Sequence, residues 1–198
     1  MDSSYRIAVS GGGSWRWMGY KLDRVRLHHL LALDELDNPL FNGGEFSAVD
    51  LLLGAWVCSA KDLVQSRARA RGKVSYLGRF LLWWRGFRLT SRRSVEREAT
   101  RALLDWWLLE SQGPILAKAE KSGRKLESPW LETLVCRLMA SGMTREEAWE
   151  QPVSEALWMQ LTQQELSGAQ VKILDEDEVE RLKKAGWSLE EIGVGGAK

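Results

Sequence analysis

Helix punctuation cuts this chain into short segments, and that constrains its fold more than any other feature. Gly142, Thr144, Glu147 and Pro152 fall within the eleven residues "GMTREEAWEQP". A glycine that accepts positive φ ends one helix. Thr144 with Glu147 makes a capping box for the next, because each side chain answers the other's backbone N–H. Pro152 stops that helix and opens another reaching about Gly168. The same signals recur upstream: Ser47 with Asp50 is a second capping box, Gly113-Pro114 is a stop, and Pro129 suits a first helical turn.

Between these marks the apolar residues keep a helical period. Asp23 is placed to cap a helix carrying Val25, Leu27, Leu30, Leu31 and Leu33, which ends before "DNP" at Asp37–Pro39. Ser47 opens "SAVDLLLGAWVCSAKDLV", with apolar residues at 49, 52, 53, 56 and 57. Another good helix runs from about Ser94 to Ser111, and "PWLETLVCRLMA" stops at Gly142. Strand signals are confined to "YRIAV" and "VKIL". The fold expected is mainly α: a compact bundle of about six to eight helices with at most one small β hairpin or edge pair. Residues 1–20 read as a flexible N-terminal segment, 21–168 as the helical core domain and 169–198 as an acidic helical C-terminal segment. At 198 residues, 44% hydrophobic and 28% charged, the chain suffices for one substantial core.

Several kinds of chemistry have little material here. The two cysteines, Cys58 and Cys136, stand far apart, which fits a reduced compartment and no disulfide scaffold. His28 and His29 are the only histidines, and as neighbours on a helix they point about 100° apart, unlike a chelating i, i+4 pair. "GGGS" at Gly11–Ser14 lacks the lysine of a phosphate loop. Acidic runs such as Asp175–Glu178 read as solvated helix starts. No catalytic, metal-binding or cofactor-binding residue is therefore expected, and no enzyme activity. The N-terminus lacks the basic flank and apolar run of a signal peptide, and the longest central apolar stretch, Phe80–Trp84, falls far short of the roughly 20 residues of a membrane span. A cytoplasmic location is expected.

The unusual number is 11 tryptophans, against 3 Tyr and 4 Phe. Tryptophan offers rigid contact area with one polar edge and is favoured in cores and interfaces. Two helical pairs, Trp83-Trp84 and Trp106-Trp107, sit in or beside a basic span. Lys61–Arg101 holds 12 Lys/Arg and three acids, an excess of nine in a chain of net charge +1. Adjacent residues on a helix cannot share one narrow core stripe. In each pair one ring is expected in the core and the other on a neighbour or partner. The candidate partner-binding residues are Trp83, Trp84, Arg85, Arg88, Trp106 and Trp107. Three uses compete for them: an internal Arg–Trp staple, an anionic membrane surface, and an Arg/Trp groove for a partner protein.

The corner at Gly142–Glu147 has an echo 44 residues later, at Arg181-Leu182, Gly186, Ser188 and Glu190-Glu191. A DNA-reading helix-turn-helix is one interpretation. The second helices, "TREEAWEQ" and "SLEEIG", put carboxylates where phosphates would lie, so a packing corner is favoured and nucleic acid is not the expected partner.

The order of these pieces resembles that of phage and prophage tail-assembly chaperones. The likeness rests on "VRLHHLLALDELDNPLFNGGEFSAVDLLLGAWVCS", then Pro129-Trp130-Leu131, then Gly142-Met143-Thr144 with Glu147-Ala148 and Pro152, then Glu165-Leu166-Ser167-Gly168. It touches about two thirds of the chain. The resemblance implies a non-catalytic factor in the host cytoplasm that holds a long helical partner such as a tape-measure protein. The alternatives are a helix-turn-helix regulator or a structural component of a tail-like, virion-associated particle.

Overall fold

The computed structural model describes residues 14–72, 76–90, 93–111 and 129–168, together with 180, 181 and 184. Among these the chain is mainly α, with one two-stranded antiparallel hairpin. "YRIAV", "VKIL", "GGGS" up to Gly13, Gly113-Pro114, the acidic run and nearly all of the C-terminal echo lie outside the described residues.

The hairpin is Trp15–Trp17 (β1) and Tyr20–Leu22 (β2), paired Trp15 with Leu22 and Trp17 with Tyr20. Its two-residue loop, Met18-Gly19, has positive φ at both positions (47° and 82°), the handedness that follows strand twist. Trp17, Tyr20 and Leu22 are buried. Residues 15–20 therefore belong to the core domain, a correction to the flexible N-terminal segment expected over 1–20. The alternation of buried and exposed residues in "WRW" and "YKL" is the signal that marks it.

After the hairpin the chain stays extended, and Asp23 caps nothing. It pairs with Lys21 at 3.3 Å, while α1 (Leu27–Glu35) begins behind Arg26. A long-range pairing decides this start. Leu27 N–H donates to Gln151 O at 3.0 Å, and Val153 N–H donates to Val25 O at 2.8 Å. The backbone groups that an earlier helix start would have used are committed to a segment some 125 residues away. Asn38 then caps one short turn, α2 (Pro39–Asn42), accepting from Leu40 N–H at 3.0 Å.

Ser47 and Asp50 form the expected capping box of α3 (Ala48–Cys58). The helix expected to continue past Cys58 stops there. Asp62 accepts from Gln65 N–H at 2.8 Å and starts α4 (Leu63–Ala70), with Ser66 buried. On α3 the buried positions are Leu51, Leu52, Gly54, Ala55, Val57 and Cys58, whereas Val49 is exposed. The helix is apolar nearly all round, so its neighbours choose the buried face. Then come α5 (Tyr76–Thr90), α6 (Arg93–Ser111), α7 (Trp130–Ala140), α8 (Arg145–Glu150) and α9 (Val153–Leu166). Thr144 and Glu147 make the capping box of α8 as read from the sequence, behind Gly142 at φ 103°.

The core centres on α1, which touches α2, α3, α4, α7 and α8. Six of its nine residues are buried: Leu27, His28, His29, Leu30, Ala32 and Leu33. In contrast, α5 packs chiefly on α3 and α6 among the described residues. No described helix is long and apolar enough to cross a membrane.

Candidate interaction surface

Helix α5 exposes a stripe of large aromatic side chains. Phe80, Trp83, Trp84 and Phe87 are 56%, 63%, 47% and 59% exposed. Their spacing of i, i+3, i+4, i+7 is that of a core-facing stripe, an arc of about 100°, yet here it faces outward. The rings form a continuous run, with centroids 6.0 Å apart for Phe80–Trp83, 6.2 Å for Trp83–Phe87 and 6.5 Å for Trp84–Phe87.

Arg85, by contrast, points inward. The Arg85 guanidinium sits 4.0 Å from the centroid of the Tyr20 ring, and its Nη2 donates to Gly19 O at 3.4 Å. Arg85 therefore fastens α5 to the hairpin turn; it is not a rim residue of an Arg/Trp groove. The cation–π staple foreseen for this region exists, with tyrosine as its ring. Gly86 faces α3, where a Cβ would reach ordinary van der Waals contact with Leu52 Cδ1 at 3.4 Å. Arg88 is exposed beside Phe87.

Trp106 and Trp107 correct the sequence expectation. Both are buried, so neither belongs to an open surface. Trp15 of the hairpin stacks on Trp106 with centroids 6.3 Å apart, and Trp17 Nε1–H donates to Ala99 O at 2.8 Å. The hairpin lies along α6 as a second wall, so two neighbouring faces of one helix are covered. For the Trp83-Trp84 pair the expectation of one ring inside also fails, since both are exposed. Trp130 is the third exposed tryptophan among the described residues and stacks on Phe41 at 6.1 Å.

Much of the basic span pairs within the chain. Arg67 and Arg71 reach Glu35 at 3.2 and 3.5 Å, and Arg101 faces Asp105 at 3.9 Å. Arg69 lies over the Trp56 ring at 5.5 Å and donates to Trp56 O and Ser59 Oγ. Burial, the main cause, holds its pKa below the usual arginine value. These contacts leave less positive charge for an anionic partner than the sequence count implies. On α8, Glu146 and Glu147 are exposed, which disfavours a phosphate-facing recognition helix.

Sequence reasoning missed one arrangement. His28 Nδ1 lies 2.8 Å from Ser66 Oγ, and His28 Nε2 lies 3.5 Å from Glu150 Oε2. Serine, histidine and carboxylate stand in the order of a nucleophilic triad. Ser66 and His28 are nevertheless fully buried, so no substrate reaches the hydroxyl. The imidazole is also a poor base: burial, then the neighbouring His29 and Arg26, push its pKa down to about 2. His29 accepts from Arg26 N–H through Nδ1 at 3.1 Å, so its proton sits on Nε2, which donates to Ala60 O at 3.0 Å. Its pKa falls to about 4, chiefly through burial. The pair is a neutral, hydrogen-bonded piece of core.

A shallow groove of about 700 Å³ follows α6 past Arg97, Arg101, Leu104 and Leu108. Its charges are exposed and of both signs, without the converging buried polar groups of a reactive pocket. No cluster of three metal-ligating side chains occurs among the described residues. No family model, curated protein or solved structure matches the chain.

Proposed function

We propose that the protein is a non-enzymatic binding factor that grips an apolar helical segment of another polypeptide on the outer face of α5. The observation that carries this reading is the outward Phe80–Trp83–Trp84–Phe87 stripe on a helix whose Arg85 is turned inward. These four aromatics are about half exposed, so each forfeits on the order of half the 1.5–3 kcal/mol of full burial. A rigid aromatic ridge meets the needs of helix recognition, in which i, i+3, i+4 and i+7 anchors of each partner interlock. Indole rings are also the commonest hot-spot side chains.

The partner class we propose is a long helical protein of the phage tape-measure type, held in the host cytoplasm before assembly. The order of helix-ending motifs that resembles tail-assembly chaperones supports that choice. The test is co-expression with a long helical protein encoded beside this chain. The expected result is a soluble complex that is lost when Trp83 and Trp84 are both changed to alanine, with the melting temperature unchanged. A complex indifferent to that double substitution removes the α5 face from the reading.

A further inference from the structure

We propose that the aromatic face of α5 is self-complementary, and that two copies of the chain pair through it as an antiparallel, two-fold dimer. This rests on the reading of α5 as a polypeptide-binding face and names a second copy as an occupant. The stretch "RFLLWWRGFR", residues 79–88, reads the same in both directions at its terminal arginine, phenylalanine and tryptophan positions. Arg79 mirrors Arg88, Phe80 mirrors Phe87 and Trp83 mirrors Trp84.

On a helix this symmetry becomes geometric. At about 100° per residue, the four aromatics are placed evenly about a line through the midpoint of Trp83 and Trp84, perpendicular to the helix axis. A two-fold axis along that line maps the stripe onto itself. A two-fold interface needs this property: if residue i meets residue j of the partner, then j meets i. Laid antiparallel at an interaxial distance of about 8–10 Å, two α5 helices bring Phe80 opposite the second copy's Phe87, and Trp83 opposite its Trp84.

The exposed parts of these four side chains amount to roughly 500 Å² per copy. Both copies together bury about 1,000 Å², at the threshold of a specific interface. The dimer is therefore weak, with dissociation in the micromolar range.

Sedimentation velocity of the full chain, from nanomolar to high micromolar, is the direct test. The expected result is a monomer–dimer equilibrium that weakens about tenfold or more in Trp83→Ala. A chain that stays monomeric throughout overturns the proposal, as does a dimer indifferent to Trp83→Ala. The register has its own test. Phe80→Glu and Phe87→Lys each disrupt the homodimer, and mixing the two variants restores a dimer containing one of each. In that mixed dimer the carboxylate introduced at position 80 meets the ammonium introduced at position 87 once, and Phe meets Phe once. A mixture that stays monomeric overturns the antiparallel arrangement, and circular dichroism of each variant separates this outcome from misfolding. Sedimentation of a monomeric wild type with anionic vesicles overturns the dimer in favour of a membrane surface. A monomer that still takes up an apolar helical peptide through α5 defeats the dimer alone. A dimer that never yields to such a peptide defeats the proposed function alone.

Discussion

At the residue scale, His28 and His29 show how a side chain suited to chemistry becomes structural. Their folded pKa values, about 2 and about 4, lie below the ordinary histidine value of 6.5. The unfolded chain therefore binds protons first as the solution is acidified. The contribution of the pair is complete above about pH 6.5 and shrinks as pH falls toward the folded values, by on the order of 1.4 kcal/mol per pH unit for each histidine. Urea unfolding at pH 7 and pH 5 reads this loss, and His29→Gln should flatten the dependence. Glu110 acts in the opposite sense, because burial raises its pKa. Gly19 is the other sensitive residue. Its φ of 82° suits glycine, and a Cβ would stand 3.1 Å from Arg85 Nη2. Gly19→Ala should cost about 1–2 kcal/mol in denaturant unfolding, from backbone strain and a displaced cation.

At the scale of elements, the two tryptophan pairs occupy opposite environments on consecutive helices. Trp106→Ala empties a buried site covered by Trp15 and should cost about 3–5 kcal/mol. Trp83→Ala changes an exposed side chain and should move stability by less than about 0.5 kcal/mol. Thermal melts of the two variants measure the contrast. Sequence alone cannot separate the pairs, since a double tryptophan looks the same in both. The difference comes from the hairpin, which supplies a second wall for α6 and only a tyrosine ring and a turn for α5. The caps behave differently, because a cap is local. Ser47, Thr144 and the overlooked Asp62 each act within three residues of their own position. Asp62→Ala should cost about 1 kcal/mol and fray the start of α4.

At the scale of the whole molecule, Arg24 ties together the extended segment after the hairpin, the end of α6 and the start of α9. It contacts Glu110 at 3.5 Å, donates to Ser154 Oγ at 2.9 Å and pairs with Glu155. The Glu110 contact is a charge pairing without hydrogen-bond geometry, and Glu110 is buried. Arg24→Ala leaves that carboxylate uncompensated and should cost about 3–5 kcal/mol, while pairing it with Glu110→Gln should recover part of the loss. A double-mutant cycle in urea gives the coupling.

The sequence by itself determined the helical class, the corner at Gly142–Glu147, the bounds of α6 and α7, and the surplus of indole rings. These are carried by local chemistry: a hydroxyl answering an amide three residues on, a glycine at positive φ, and the helical period of about 3.6 residues. Tertiary structure decided the start of α1, the placing of residues 15–22 as a hairpin on the core, and which aromatics are covered, whereas the start of α4 follows the local Asp62 cap. The pairing of residues 25–27 with 151–153 overrode the Asp23 cap, since backbone groups bound to a distant segment cannot also begin a helix. Arg85 reads as a rim charge in the sequence because nothing local reveals that Tyr20 lies beside it. A helix can state which of its faces is apolar, but only its neighbours determine which face meets water.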